Sequence, residues 1–383
     1  MRVTRIAGPT PDATAAAELE RAFPPTKGSC PSSRTVVLAT TATYADALSS
    51  QFLAQSLTTG TLLTPTESLS SATEAALKAE GIQKVVVVGG PLAITTAVVT
   101  QIEALTAYGC GGTAPSGKVT ITRAYGQTQY ATASAVAERV GTAPTLSFPG
   151  AYQTTNAAGG TGRFNDTPGQ GTAAPSSPEP TAILASGTEF QDAEAASVLS
   201  YRTKLPLLLT PATSLSPTAV GAMKTLGVRQ VILMGGTLAV ADTVEAALAK
   251  VGVSVLRVAG QDGTDTAVQL ARFEAAPTTS GRNWTPGHRV LLARGTGFTD
   301  GIAGAVLDSP LNVATGPKGS ARPLLLSESP TTVGTFLTGF LKTTGAKGID
   351  GTTTKTLTSM SVLGGPLALS TAAVGAMQTD LGG

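Results

Sequence analysis

Short apolar runs alternate with longer amphipathic stretches along the chain. The runs TVVLAT at 35–40 and KVVVVGG at 84–90 lack the every-second-residue alternation of a half-exposed strand. Continuous runs of this kind predict strands covered on both faces, as in a parallel sheet. Between and around them, TAAAELERAF, ADALSSQFLAQSL, SSATEAALKAEG and TTAVVTQIEAL space their apolar residues as helices do. VTRIAG at 3–8 and TLLT at 61–64 supply two further strands. Strand and helix in alternation predict βαβ units and an α/β fold with small parallel sheets.

The pattern occurs three times. The opening segment TRIAGPTPDATAAAELERAF at 4–23 returns as TRAYGQTQYATASAVAERV at 122–140 and as LRVAGQDGTDTAVQLARF at 256–273. A strand-turn-helix segment, VVLATTATYADALSS at 36–50, returns as AILASGTEFQDAEAAS at 182–197 and VLLARGTGFTDGIAGA at 290–305. A strand ending in two glycines, VVVVGGPLAITTAVV at 85–99, returns as VILMGGTLAVADTVEAAL at 231–248 and SVLGGPLALSTAAVGAM at 361–377. Asp46 lies 43 residues before Gly89, and Asp192 lies 43 before Gly235. Ordered segments at matched spacing predict three tandem modules, at 1–117, 118–251 and 252–383. Asp300 and Gly364 are 64 apart, so unit three carries extra residues, placed at about 308–321 and 343–358. Unit two carries a Gly-, Pro-, Ser- and Thr-rich stretch at about 144–180, which reads as an exposed insertion.

Composition narrows the chemistry. Among 383 residues, 42% are hydrophobic, enough for packed cores, while 13% are charged and the net charge is +2. No basic stripe appears, which argues against a nucleic-acid partner. One His and two Cys, far apart, do not make a zinc site, and HExxH, CxxC and Walker motifs are absent. No metal and no cofactor is expected. A Ser-His-Asp triad would have to use His288, which sits in WTPGHRVLLA at the entry to a strand and reads as structural or surface. No stretch reaches the roughly 18 apolar residues of a membrane helix, so no membrane span is expected. Met1 runs straight into patterned sequence, consistent with a cytosolic chain or with the mature part of a secreted one. Cys30 and Cys110 flank the first module. Either they are unrelated thiols, or they form a disulfide closing a loop of about 80 residues, worth roughly 4 kcal/mol on the entropy account. A bridge would imply an oxidising compartment.

Taken together, RIAG at 5–8, DAEAAS at 192–197, PLLLT at 206–210 and MGGTLAV at 234–240 resemble the cell-wall-binding repeat 2 family. Three copies cover almost the whole chain. The resemblance implies Rossmann-like (Toprim-like) modules packed as a pseudo-threefold trimer. It implies extracellular proteins of Gram-positive bacteria, held non-covalently at the cell wall or in a surface layer by an anionic polysaccharide or a teichoic-acid-like polymer. Family members commonly carry Asp-Arg-Tyr after RIAG. Here the three places read Thr10-Pro11-Asp12, Thr128-Gln129-Tyr130 and Asp262-Gly263-Thr264. Tyr130 and Asp262 are kept; the Arg is missing from all three, which removes one anion contact per module.

Each recurring residue has a binding and a structural reading. Arg5, Arg123 and Arg257 sit on the opening strands. A guanidinium fork there can grip phosphate or carboxylate, or form an ion pair or bond to carbonyls where modules meet. Asp46, Asp192 and Asp300 open a helix after the second strand, at the carboxyl edge where α/β sheets bind ligands. They can take sugar hydroxyls, or cap the helix. The pairs Gly89-Gly90, Gly235-Gly236 and Gly364-Gly365 can present bare N–H groups to an anion at a helix start, or simply allow a tight turn. Thr64, Thr210 and Ser327 end the Leu-rich third strands, where a hydroxyl can touch a ligand. No second carboxylate recurs beside the Asp, since Glu189 and Glu194 occur in unit two alone, so a catalytic pair is disfavoured. The leading expectation is a non-catalytic secreted anchor that binds an anionic wall glycopolymer through three modules. The alternative is a structural subunit of a surface layer or filament, whose partners are other surface proteins or itself.

Overall fold

The computed structural model describes residues 2–150, 161–163, 176–276, 282, 284, 289–308, 322–347 and 357–380. His288, most of the 144–180 stretch and most of the two additions expected in unit three lie outside these residues.

Unit one supplies strands β1 (Arg2–Ile6), β2 (Thr35–Thr40), β3 (Thr61–Thr64) and β4 (Lys84–Val88), then an antiparallel ribbon of β5 (Thr106–Tyr108) and β6 (Pro115–Lys118). Unit two supplies β7 (Thr120–Ala124), β8 (Thr145–Leu146), β9 (Thr161–Arg163), β10 (Glu179–Ser186), β11 (Leu207–Thr210) and β12 (Gln230–Met234). Unit three supplies β13 (Ser254–Val258), β14 (Arg289–Arg294), β15 (Leu324–Ser327) and β16 (Ser359–Leu363).

These strands form three small parallel sheets, ordered β3-β2-β4-β7, β11-β10-β12-β13 and β15-β14-β16-β1. The fourth strand of each sheet is the opening strand of another repeat. β7 of unit two closes the first sheet and β13 of unit three closes the second. β1, from the start of the chain, closes the third, pairing Arg2 with Ser359 through Ile6 with Leu363. The three sheets are thereby linked in a closed cycle, and the repeat borders in the sequence cut between an opening strand and the helix-bearing remainder of its sheet.

The central strands explain the continuous apolar runs. Every residue of β2 is buried, and so are Thr181–Ser186 in β10. The helices that follow them, Tyr44–Ser56 and Phe190–Thr203, are buried on nearly all sides. With the short third helix Thr299–Ala303 and its 3-10 continuation to Leu307, they pack on one another between the sheets. Small residues permit the approach. A Cβ on Gly301 would run into the Glu194 carboxylate, and one on Gly304 into Leu363. At the start of these helices the rings of Tyr44, Phe190 and Phe298, one from each unit, form a triangle. Their centroids lie 5.8, 6.0 and 6.3 Å apart, in tilted and edge-on contacts. One large apolar core runs through all three units, with two smaller clusters behind the second and third sheets.

Cys30 and Cys110 form a disulfide with Cα atoms 5.9 Å apart, closing 80 residues. It ties the segment before β2 to the turn between β5 and β6.

Where it is described, the insertion in unit two is not an exposed excursion at its ends. β8 pairs antiparallel with β10, and β9 adds in parallel outside β13. Leu146 and Phe148 are buried in the main core. The apolar pair within TLSF has a place to go, which the surrounding Gly- and Pro-rich composition conceals.

Candidate functional site

The recurring residues gather at the carboxyl edges of the three sheets, one set per sheet. Each set is assembled from two repeats, because the Arg arrives on the borrowed strand. Arg123 Nη1 donates to Gly89 O (2.6 Å) and Nη2 to Ile94 O (2.9 Å). Arg257 makes the same two bonds, to Gly235 O (2.6 Å) and Val240 O (2.8 Å). Arg5 makes them to Gly364 O (2.7 Å) and Leu369 O (2.8 Å) across some 360 residues of sequence. Of the two readings for these arginines, bonding to carbonyls where modules meet is the arrangement found. Arg257 also pairs with Glu245 through Nε. The fork spans the glycine turn like a staple and fixes its shape.

The turn itself needs glycine for two reasons. Gly89, Gly235 and Gly364 have φ of 107°, 93° and 89°, in the left-handed region. A Cβ at any of them would collide with the carboxylate of Asp46, Asp192 or Asp300 respectively. The first glycine's N–H donates to the borrowed strand, at Ala124 O, Val258 O and Ile6 O. The second glycine, Gly90, Gly236 or Gly365, offers its carbonyl to two N–H groups further round the turn. The next helices begin only at Thr96, Asp242 and Thr371. The glycine pairs therefore do not sit at a helix start, and the expectation of a helix-end anion cradle is corrected: a separate turn of several residues intervenes.

The three Asp residues are not N-caps either. They lie inside the first turn, after N-cap positions Thr43, Glu189 and Phe298, and no side-chain cap bond is made there. Instead each carboxyl is packed against the glycine turn. Burial pushes Asp46 up to about 6. Burial also raises Asp192, offset in part by the Thr266 hydroxyl and the Arg257 charge. Asp300 is raised by burial and partly compensated by Arg294, 3.5 Å away.

The remaining expected site residues brace loops. Thr64 and Thr210 are fully buried; each hydroxyl donates to a carbonyl four residues on and accepts from the N–H six residues on. Ser327 Oγ donates to Ser329 O. Asp262 is a true N-cap, accepting from Asp265 N–H (2.8 Å). Tyr130 packs over Gly187, whose carbonyl accepts from Tyr44 Oη and Gln129 Nε2.

Two recurring features escaped the sequence reading. Thr14, Thr132 and Thr266 each accept from the N–H of Gly8, Gly126 and Gly260, shaping the turn beside the Arg strand. Leu92, Leu238 and Leu367, each two residues past its glycine pair, are 96%, 97% and 92% exposed. A leucine held in water at the same place three times stands out, since scattered apolar exposure needs no explanation and repeated exposure does. Both sets recur at fixed positions in the repeats, which is the signal that finds them.

Each edge is thus a stiff, stapled turn carrying one exposed leucine above a buried carboxyl. Among the described residues no group of His, Cys, Asp and Glu is placed to hold a metal, and no helix is long and apolar enough to cross a membrane.

Comparison with known proteins agrees with this architecture. A stretch of 96 residues is 33% identical to the N-acetylmuramoyl-L-alanine amidase LytC of Bacillus subtilis (strain 168), covering 25% of this chain and 19% of the amidase. The whole fold resembles Cwp8 from Clostridium difficile, with TM-score 0.68 and 16% identity over 100% of this chain and 52% of that one. Cwp6 from the same organism gives TM-score 0.68 and 16% identity over 99% and 48%. The chain spans about half the length of these two structures, and at that identity the likeness is one of fold. Residues 5–99 and 123–245, more than half of the chain, match the family described as Cell wall binding domain 2 (CWB2). The stapled glycine turns and the closed cycle of sheets are therefore those of a member of the CWB2 family, a protein of the cell wall or cell surface.

Proposed function

We propose that this protein is a non-catalytic extracellular anchor that holds an anionic wall glycopolymer at its three carboxyl edges. The observation that carries the reading is the threefold recurrence of one edge: Arg staple, glycine turn, buried Asp and exposed Leu. The modules, taken as 1–117, 118–251 and 252–383 with their opening strands exchanged, are Rossmann-like units about a pseudo-threefold axis. The ring triangle of Tyr44, Phe190 and Phe298 supports that axis. In this scheme the arginines act as positioning residues, because their terminal nitrogens are occupied by carbonyls. The polymer meets the turn's backbone and the leucine, which suits the apolar face of a sugar ring. Three weak contacts on one chain add up to firm attachment when they engage together.

The test introduces a negative charge at each exposed leucine: L92D, L238D and L367D, singly and combined. At such exposed places the fold tolerates the change. Sedimentation with purified walls is expected to fall stepwise with each added charge. Undiminished sedimentation of the triple variant would overturn the edges as the binding face. The three exposed leucines also suit a second reading, self-assembly into a surface layer. In that case the same variants lose assembly seen by electron microscopy while wall binding is unaffected.

A further inference from the structure

At the opposite, amino-terminal edge of the third sheet lies a cleft of about 690 Å³. Four arginines line it. Arg2 and Arg289 are the first residues of β1 and β14, Arg322 immediately precedes β15, and Arg21 stands in the last turn of helix Pro11–Ala22. Asp308 is the one carboxylate in the lining. It is already engaged, by the buried Arg202 guanidinium (2.8 Å) and by the Arg322 main-chain N–H (2.9 Å). Among the described residues the guanidinium groups of Arg2, Arg21 and Arg289 have no acidic partner within ion-pair distance. Arg322 Nε is buried without a partner. So is the amide nitrogen of Gln55, a residue 3% exposed that lines the same cleft. Three of the charges also feel one another: burial lowers the pKa of Arg322, Asp308 offsets part of this, and Arg289 and Arg21 lower it further.

Strand register shows that three of these charges are peculiar to one module, whereas Arg21 has a counterpart in Arg139 of unit two. The place of Arg2 is taken by Thr120 and Ser254 in the other two sheets. The place of Arg289 is taken by Thr35 and Thr181, and that of Arg322 by Thr59 and Leu205. Gathering like charges is unfavourable without a counter-charge, and a buried unpaired donor adds to the cost. Both costs fall when an oxyanion enters, because guanidinium forks match carboxylate and phosphate geometry. The volume lies in the range of ligand sites, too large for a single phosphate.

We propose that this cleft is a separate binding site for an oligomeric oxyanion, a glycan segment bearing several phosphate or carboxylate groups. Arg2, Arg21, Arg289 and Arg322 hold the charges and Gln55 donates from the floor. The site adds to the carboxyl-edge reading and does not depend on it, since it shares no residue with those edges.

Titration calorimetry in low salt tests it, with sodium tripolyphosphate and a galacturonate trimer as soluble probes. The full chain is expected to bind at least one of them, and the preferred probe assigns phosphate or carboxylate. R2Q/R289Q is expected to weaken binding at least tenfold and R21Q severalfold, with melting temperatures unchanged, since all three side chains are exposed. K224Q/R229Q removes two positive charges elsewhere and is expected to leave binding within twofold. No binding of either probe, or equal loss in both double variants, would overturn the site. Because the probes are soluble, that failure is distinct from a failure of wall sedimentation by the leucine variants.

Discussion

Arg123 shows what the recurring residues do one at a time. Its two terminal nitrogens satisfy Gly89 O and Ile94 O, so truncation leaves two carbonyls without their charged donor. R123A is predicted to destabilise the fold by about 2 kcal/mol in urea unfolding. R123K keeps the charge but cannot span both carbonyls, and is expected to recover only part. The buried acids set the pH response. Asp46 titrates at about 6 in the fold, above its unfolded value near 4. The fold therefore prefers the protonated form: that contribution is complete below about pH 4 and is lost as pH rises through 6. Glu80, pushed up to about 8 by burial and by the charge of Glu20, carries the loss onward. Glu18 and Glu194, wholly buried and unpartnered, are raised well above the usual range and act in the same direction. The melting temperature is predicted to fall between pH 5 and 8.5, and E80Q to reduce the fall at the upper end. A rising melting temperature across that range would contradict this assignment. Identity and recurrence of Arg, Asp and Gly-Gly were legible in the sequence. Their partners were not, because Arg5 and Gly364 meet only after the whole chain has closed on itself.

At the scale of elements, the alternating pattern located the strands and helices, and the continuous apolar runs correctly implied burial on both faces. What periodicity does not carry is which sheet a strand joins. β1 reads as the start of unit one, yet its neighbour is β16 of unit three. The same blindness hid the arginine cleft, whose members lie at strand starts and a helix end far apart in sequence. Removing residues 1–9 would expose β16 as an edge and free the Gly364 and Leu369 carbonyls. Hydrogen exchange is predicted to accelerate across Ser359–Leu363 in that truncated chain while β2 and β4 stay protected. Equal protection of β16 with and without β1 would contradict the exchange of strands.

For the molecule as a whole, the cycle of sheets and the shared helical centre make the three units one cooperative body. The disulfide lies at its rim, within unit one. C30S/C110S is predicted to cost about 4 kcal/mol, by freeing an 80-residue loop in the unfolded chain, without altering the fold. A melting curve that splits into two transitions would instead show that the bridge joins independent parts. The family was legible because three ordered motifs recurred together. Which polymer such an anchor would hold is a matter of surface chemistry, and each edge presents one strongly exposed leucine for it to meet. The most direct measurement is sedimentation of the purified protein with cell-wall sacculi, before and after acid has stripped their anionic glycopolymers. An anchor for an anionic wall polymer is predicted to co-sediment with intact sacculi and to lose that binding after stripping. Equal sedimentation with both preparations, or with neither, would contradict an anchor that grips an anionic wall polymer.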